Sequence, residues 1–134
     1  MIYLDSSAIV KLIKPEPESR VLADWLNERN EAPVTSVLAE VEVPRALRRS
    51  APARLAVIPV VLARIVRIEM DASVRATAGA YVVDALRSPD AVHLATAEVL
   101  AASGKVVSAF VTYDTRQAAA VEPTGIPVAT PGRG

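Results

Sequence analysis

The segment Ile2–Val10 (IYLDSSAIV) decides the fold of this 134-residue chain. Its first three residues are apolar and partly β-branched, which is typical of a buried strand. Asp5 follows this strand, and Ser6 or Ser7 is a suitable cap for a helix that begins there. Asp5 is therefore predicted at the carboxyl end of a strand, where open α/β sheets bind their ligands. From this segment alone, an equally good interpretation is that Asp5 only bonds the free N–H groups of the next helix.

Strand-like and helix-like segments alternate along the rest of the chain, which predicts an α/β fold with a mostly parallel, five-stranded sheet and about seven helices. The predicted strands are Ile2–Leu4, Ala32–Thr35, Ile65–Glu69, Val106–Tyr113 and Ile126–Ala129. The predicted helices are Ser7–Ile13, Glu16–Glu28, Ser36–Arg49, Ala53–Ala63, Ala72–Val83, Pro89–Ala102 and Thr115–Ala120. Pro44 and Pro59 fall inside two of these helices, where proline is expected to kink or interrupt the backbone.

Length and composition limit the classes of protein that the chain can form. The length fits a single domain over residues 1–130, and residues 131–134 are expected to form a flexible tail. Cysteine is absent, so disulfides, a thiolate nucleophile and a cysteine-based zinc site are excluded. No basic leader precedes an apolar stretch, and no apolar run approaches the roughly 18 residues of a membrane helix. We therefore expect a cytoplasmic protein that does not contact a membrane.

The formal net charge is zero, so a uniformly basic surface for nucleic acid is not expected. Arginine is nevertheless concentrated locally, at Arg45, Arg48, Arg49 and Arg54. Guanidinium groups at this density could hold phosphates in a bidentate manner. They could equally form a solvated helix face with glutamate partners.

Two further aspartates occupy positions of the same kind as Asp5. Asp90 lies in the first turn of a predicted helix whose N-cap is expected to be Ser88, where it could simply complement the helix dipole. Asp114 directly follows a predicted strand, where it could simply cap the next helix. If the strands before Asp5 and Asp114 are parallel and central, their carboxyl ends meet at one edge of the sheet and bring the carboxylates together.

A fourth carboxylate is expected from Glu40 or Glu42. The two residues are two positions apart, hence about 200° apart around a helix, so both cannot face the same site. The apolar pattern around them does not choose between them. Several carboxylates in a chain with a single histidine and no cysteine favour a hard cation, Mg²⁺ or Mn²⁺. Such an ion polarises phosphoryl oxygens and acidifies bound water, which predicts phosphodiester hydrolysis.

The motifs around these residues resemble those of PIN-domain ribonucleases of the VapC type, the toxins of bacterial toxin-antitoxin pairs. Tyr3–Ala8 (YLDSSA) is similar to the opening motif of that family, Asp90–Ala97 (DAVHLATA) to its most specific signature, and Thr112–Asp114 (TYD) to its late acidic motif. A family helix motif resembles Thr35–Ser36 (TS) followed by Glu42 and an Arg-Ala-Leu run. This last resemblance selects Glu42 over Glu40.

The resemblance implies a PIN-like α/β/α sandwich and an endoribonuclease that depends on Mg²⁺ or Mn²⁺. It implies that Asp5 and Asp90 are the principal metal ligands, and that Glu42 and Asp114 complete the acidic group directly or through water. Ser6 and Thr112 would be supporting hydroxyls. The single histidine, His93, is expected to be a packed, hydrogen-bonded residue rather than a catalytic base.

The resemblance also implies partners: an RNA substrate, a cognate VapB-like antitoxin and a second copy of the chain in a homodimer. The apolar stripe Val21, Leu22, Trp25 and Leu26 is a candidate surface for a protein partner, although ordinary core packing explains it as well. A different class of function is a non-catalytic PIN-like module that binds RNA or a partner. Because such modules tend to lack one or more carboxylates, the complete set of four favours the enzyme.

Overall fold

A computed structural model describes residues 1–133, and Gly134 lies outside the described part. Within residues 1–133, five parallel strands form one sheet in the order β3-β2-β1-β4-β5. The strands are β1 Ile2–Leu4, β2 Pro33–Ser36, β3 Val66–Ile68, β4 Ala109–Val111 and β5 Val128–Ala129. The α-helices are α1 Ser6–Ile13, α2 Ser19–Asn27, α3 Ala39–Ser50, α4 Ile58–Leu62, α5 Ala72–Ala80, α6 Ser88–Ala102 and α7 Thr115–Val121. Short 3-10 helices span Pro52–Val57 and Glu122–Thr124.

The central strand β1 organises the sheet. Tyr3 lies opposite Val34 of β2 on one side and opposite Phe110 of β4 on the other. The chain first builds β2 and β3 on one side of β1, and then crosses to build β4 and β5 on the other. The strand order therefore reverses between β1 and β4, which is where open α/β sheets form a crevice at the carboxyl ends of their strands.

Helices cover both faces of the sheet, which explains why β1 is apolar throughout. Ile2 and Leu4 point to one face, where they pack against α1, α2, α3 and α4. Tyr3 points to the opposite face, where it packs against α6 and α7 and stacks on the ring of Phe110 with centroids 4.9 Å apart. The predicted α/β/α sandwich with a five-stranded parallel sheet is therefore confirmed.

The helix predictions need correction where proline was involved. The segment predicted as one helix over Ala53–Ala63 is a 3-10 helix followed by α4, because Pro59 fits the first turn of a new helix better than the interior of a longer one. Helix α2 begins at Ser19 rather than Glu16, since residues before proline avoid the helical region. By contrast, α3 continues through Pro44 as far as Ser50.

Several predicted strands and helices were also longer than the observed ones. The strand predicted over Val106–Tyr113 is only Ala109–Val111, and α5 ends at Ala80 rather than Val83. In residues 1–133, no helix is long enough and apolar enough to cross a bilayer.

The last described residues are held against the body of the domain. The hydroxyl of Tyr113 donates to the carbonyl oxygen of Pro131 at 2.7 Å, and the guanidinium of Arg133 donates to the carbonyl oxygen of Tyr113 at 2.8 Å. Pro131 is buried. A tyrosine 18 residues earlier thus supplies a long-range partner for the segment that the sequence predicts as a flexible tail. Gly134 lies outside the described residues.

Candidate functional site

Asp5 and Asp114 lie at the carboxyl edge of the two central strands. Asp5 directly follows β1 and caps α1, its Oδ1 accepting a hydrogen bond from the backbone N–H of Ala8 at 3.1 Å. Asp114 follows β4 and caps α7, its Oδ1 accepting from the backbone N–H of Arg116 at 2.9 Å. Each aspartate therefore serves as a helix cap and also stands at the edge where the strand order reverses. The two interpretations drawn from the sequence are not exclusive.

Asp90 enters the same region from the first turn of α6. The N-cap of α6 is Arg87, whereas Ser88 is already helical, so the predicted cap was wrong by one residue. The side-chain amide of Gln117, on α7, donates to the backbone carbonyl of Asp90 at 3.1 Å and holds the two helices together. The nearest cation to the Asp90 carboxylate is Arg87, at 4.0 Å and largely exposed.

Glu42, and not Glu40, points inward from α3. Oε1 of Glu42 accepts a hydrogen bond from the hydroxyl of Ser6 at 2.7 Å and lies 2.7 Å from Nε2 of His93. Glu40 instead faces outward and pairs with Arg67 at 3.0 Å. The structure thus separates two residues that helical geometry alone could not assign.

Behind Glu42, His93 links three elements of the fold. Its ring is 2% exposed, its Nδ1 lies 2.8 Å from the hydroxyl of Tyr3, and its Nε2 faces Glu42 and Ser6. When Nε2 of His93 donates a hydrogen bond to the carboxylate of Glu42, Nδ1 is free to accept a hydrogen bond from the hydroxyl of Tyr3. Tyr3, on β1, and His93, on α6, therefore fix the position of Glu42 on α3. The prediction that His93 is packed and hydrogen-bonded is confirmed.

The hydroxyls next to Asp5 and Asp114 hold the loops in place. Ser7 donates to Oδ1 of Asp5 at 2.6 Å and accepts from the backbone N–H of Tyr113 at 2.9 Å. Thr112 accepts from the backbone N–H of Asp114 at 3.1 Å. The sequence suggested Ser7 only as an alternative helix cap. It did not reveal that Ser7 connects Asp5, which follows β1, with Tyr113, which follows β4. The adjacent serines were the available signal, because each one bonds a different carboxylate.

Three of the carboxylates lie close enough to Asp90 to raise its pKa. Burial raises the pKa of Asp90, and the charges of Asp114, Asp5 and Glu42 raise it further against the opposing charge of Arg87. Burial also raises the pKa of Asp5, although the electrostatic influence of His93 and hydrogen bonds from Ser7, Thr112 and Ala8 oppose this effect. Burial disfavours the Glu42 carboxylate as well, but hydrogen bonds from His93 and Ser6 outweigh it and lower the pKa of Glu42. The site therefore concentrates negative charge that its own cations do not balance.

This donor set fits a hard divalent cation, since carboxylate oxygens are the ligands that Mg²⁺ and Mn²⁺ prefer. Within residues 1–133, no three His, Asp or Glu side chains already stand as a group that could hold a metal ion. Asp5 and Asp114 are instead turned toward the N–H groups that they cap, and Glu42 toward Ser6 and His93. A shared ion therefore requires some of these side chains to rotate.

A cleft of about 680 Å³ opens beside the acidic group on the side of α3. Its inner wall carries Ser6, Ser7 and Glu42, and its outer part carries Arg45 and Arg49. Of the four candidate carboxylates, Glu42 lines this cleft directly.

Comparison with known proteins identifies the family of the chain. A family model described as "PIN domain" matches residues 2–122. The chain is 52% identical to "Ribonuclease VapC35" of Mycobacterium tuberculosis over 134 residues, covering 99% of this chain and 98% of the relative. It is 40% identical to "Ribonuclease VapC46" of the same organism over 130 residues, with 97% of each chain covered.

A solved structure described as "Toxin-antitoxin complex from Klebsiella pneumoniae" has the same fold, with a TM-score of 0.71 at 20% identity and 98% of each chain covered. The fold, the edge carboxylates and the family match together define a PIN domain. This chain belongs to the PIN-domain family, and the resemblance seen in its motifs is confirmed.

Proposed function

We propose that this protein is an endoribonuclease that uses Mg²⁺ or Mn²⁺ to hydrolyse RNA phosphodiester bonds, and that it is the toxin of a VapBC-type toxin-antitoxin pair. The observation that supports the proposal is that Asp5, Glu42 and Asp114, from distant parts of the sequence, lie close enough to Asp90 to raise its pKa. The 52% identity to a protein named as a ribonuclease supports the same activity.

In this proposal Asp5 and Asp90 are the principal metal ligands, and Glu42 and Asp114 complete the group. A bound divalent ion polarises the phosphoryl oxygen and lowers the pKa of the attacking water. Ser7 and the start of α1 orient Asp5, whereas the α6 first turn presents Asp90.

The test is cleavage of single-stranded RNA with Mg²⁺ or Mn²⁺ and with a chelator. We expect Asp5→Asn and Asp90→Asn to abolish the divalent-dependent products while circular dichroism shows folded protein. α3 offers a matched pair: Glu42→Gln is expected to lose activity, and Glu40→Gln, at the exposed residue paired with Arg67, is expected to retain it. Full activity in both aspartate variants would refute the proposal.

For partners, we propose a cognate VapB-like antitoxin and a homodimer in the cytoplasm. The Klebsiella pneumoniae structure of the same fold is a toxin-antitoxin complex, which supports the antitoxin. The stripe on α2 contributes little free surface, because Leu22 is fully buried and both Trp25 and Leu26 pack against the core. Val21, at 48% exposed, is the part of it that a partner can reach. Co-purification with the product of an adjacent small reading frame, and mass in solution, test the two partners separately.

A further inference from the structure

The arginine cluster singled out in the sequence divides into two groups in the structure. Arg45 and Arg49 line the cleft beside Glu42, whereas Arg48 lies outside it. Arg54 is also set apart, because its Nε donates to the backbone carbonyl of Ile13 at 3.1 Å. The division follows from the helix: positions 42, 45 and 49 form one stripe along α3, and position 48 lies on another side.

Arg45 and Arg49 are exposed, and neither makes a salt bridge with a carboxylate of residues 1–133. Other cations around the cleft are engaged. Lys11 pairs with Glu18 at 2.7 Å, and Arg133 donates to the Tyr113 carbonyl. Two guanidinium groups without a carboxylate partner in residues 1–133 therefore stand in the outer part of a cleft that reaches Glu42.

This arrangement meets a physical need of the proposed reaction. RNA is a polyanion, and four carboxylates repel it unless fixed cations stand nearby to hold the strand. Along α3, the backbone positions of Arg45 and Arg49 are about 4.5 Å and 10.5 Å from that of Glu42, at about 1.5 Å of rise per residue. Guanidinium groups are suited to bidentate contacts with phosphate oxygens.

A second cleft near the acidic group offers a poorer path for RNA than the cleft along α3. It lies between α6 and α7, has a volume of about 760 Å³ and is lined mostly by apolar side chains, among them Leu86, Leu94 and Ala119. Its cationic residue is Arg116. A nucleic-acid backbone finds less positive charge there than along α3.

We propose that Arg45 and Arg49 bind phosphates of the RNA strand next to the cleaved bond, so that the strand leaves the acidic group along α3. This inference rests on the proposed nuclease function and adds the substrate path to it. The arginines act on the RNA backbone and not on its bases, so their contribution is the same for every sequence.

The experiment measures binding of fluorescent single-stranded RNA by anisotropy, in an Asp90→Asn background that prevents cleavage, at several salt concentrations. Each phosphate contact on a single strand contributes about 0.7 to the slope of log affinity against log salt. We expect Arg45→Ala and Arg49→Ala each to flatten the slope by about 0.7, and the double variant by about 1.4, for two RNAs of unrelated sequence.

Arg48→Ala is the matched control, because it removes the same charge from the same helix outside the cleft. We expect it to leave affinity and slope close to those of the parent. Arginine to alanine is favourable within an exposed helix, so all three variants are expected to fold. Arg45→Lys is expected to keep the slope and lose part of the affinity, because the charge remains but the bidentate fork is gone.

Failure of this inference is distinguishable from failure of the proposed function. If the unmodified protein does not cleave RNA with a divalent ion, the function is wrong. If it cleaves RNA but the double variant binds RNA like Arg48→Ala, the substrate path is wrong. Unchanged RNA affinity together with weakened antitoxin binding would overturn it in favour of a protein interface.

Discussion

Two replacements of His93 each keep the contact of one ring nitrogen and remove the contact of the other. They therefore separate the effect of His93 on stability from its effect on activity. A glutamine amide reaches the position of the ring Nε2 and can keep the contact with Glu42, but it leaves the Tyr3 hydroxyl without its histidine partner. An asparagine amide reaches the position of Nδ1 and does the reverse. We therefore expect both variants to be destabilised, and only His93→Asn to lose turnover out of proportion to its stability.

The size of the stability loss follows from burial. Tyr3 is 0% exposed, so an unpaired hydroxyl there costs about 1–3 kcal/mol. At an unfolding entropy of about 2.1 cal/mol/K per residue, a chain of this length loses about 4 °C of Tm per kcal/mol. His93→Gln is therefore expected to melt about 4–11 °C lower than the parent.

Thermal unfolding followed by circular dichroism gives the stability loss, and RNA cleavage well below the melting transition gives turnover. A collapse of turnover in folded His93→Gln, equal to that in His93→Asn, would refute the reasoning. It would mean that the imidazole itself takes part in the reaction and does not merely position Glu42.

Two other predictions concern Asp114 and Glu18. Asp114→Ser keeps an N-cap acceptor for α7 and removes the carboxylate, so we expect Mn²⁺ affinity measured by calorimetry to fall with little change in Tm. Asp114→Ala removes the cap as well, which is expected to lower the free energy of unfolding by about 0.5–2 kcal/mol. Mn²⁺ affinity of Asp114→Ser equal to that of the parent would exclude Asp114 from the ion site. The hydrogen bond from Lys11 holds the pKa of Glu18 below its ordinary 4.5. The stabilisation is therefore present above that pH and is lost as the pH falls through the lower, folded-state pKa. We expect Glu18→Gln to flatten the dependence of Tm on pH in this acidic range, and an unchanged profile would contradict the assignment.

The fold was predictable because the strongest signals were long and consistent. Alternation of apolar strands with helix-length segments favours a parallel sheet, and the sequence alone predicts Asp5 and Asp114 at its carboxyl edge. Helix boundaries near Pro59 were less predictable, since proline suits the first turn of a new helix as well as a break in an old one. The contacts of Pro131 and Arg133 depend on a distant tyrosine and leave no local pattern.

The sequence proposes which carboxylates form the candidate site, but it does not reveal the hydrogen bonds that orient them. Helical geometry left Glu40 and Glu42 open, and the resemblance of the helix motif selected Glu42. The physical reason for its inward direction, its contacts with Ser6 on α1 and His93 on α6, is visible only in the structure. The roles of Tyr3 and Ser7 arise from contacts about 90 and 106 residues away along the chain, which no short-range pattern encodes. The sequence indicated that Asp5 and Asp114 could cap the following helices, but not that Glu42 turns toward Ser6 and His93.

The most direct test of the account is a crystal of the protein soaked in Mn²⁺ and measured for anomalous scattering. We expect a peak among Asp5, Glu42, Asp90 and Asp114, with carboxylate oxygens at about 2.0–2.2 Å, and rotation of at least one of these side chains from its local donor. An Asp90→Asn crystal soaked in the same way is expected to lose the peak. Saturating Mn²⁺ bound elsewhere, with these four carboxylates unmoved, would contradict the claim that they form one ion-binding site.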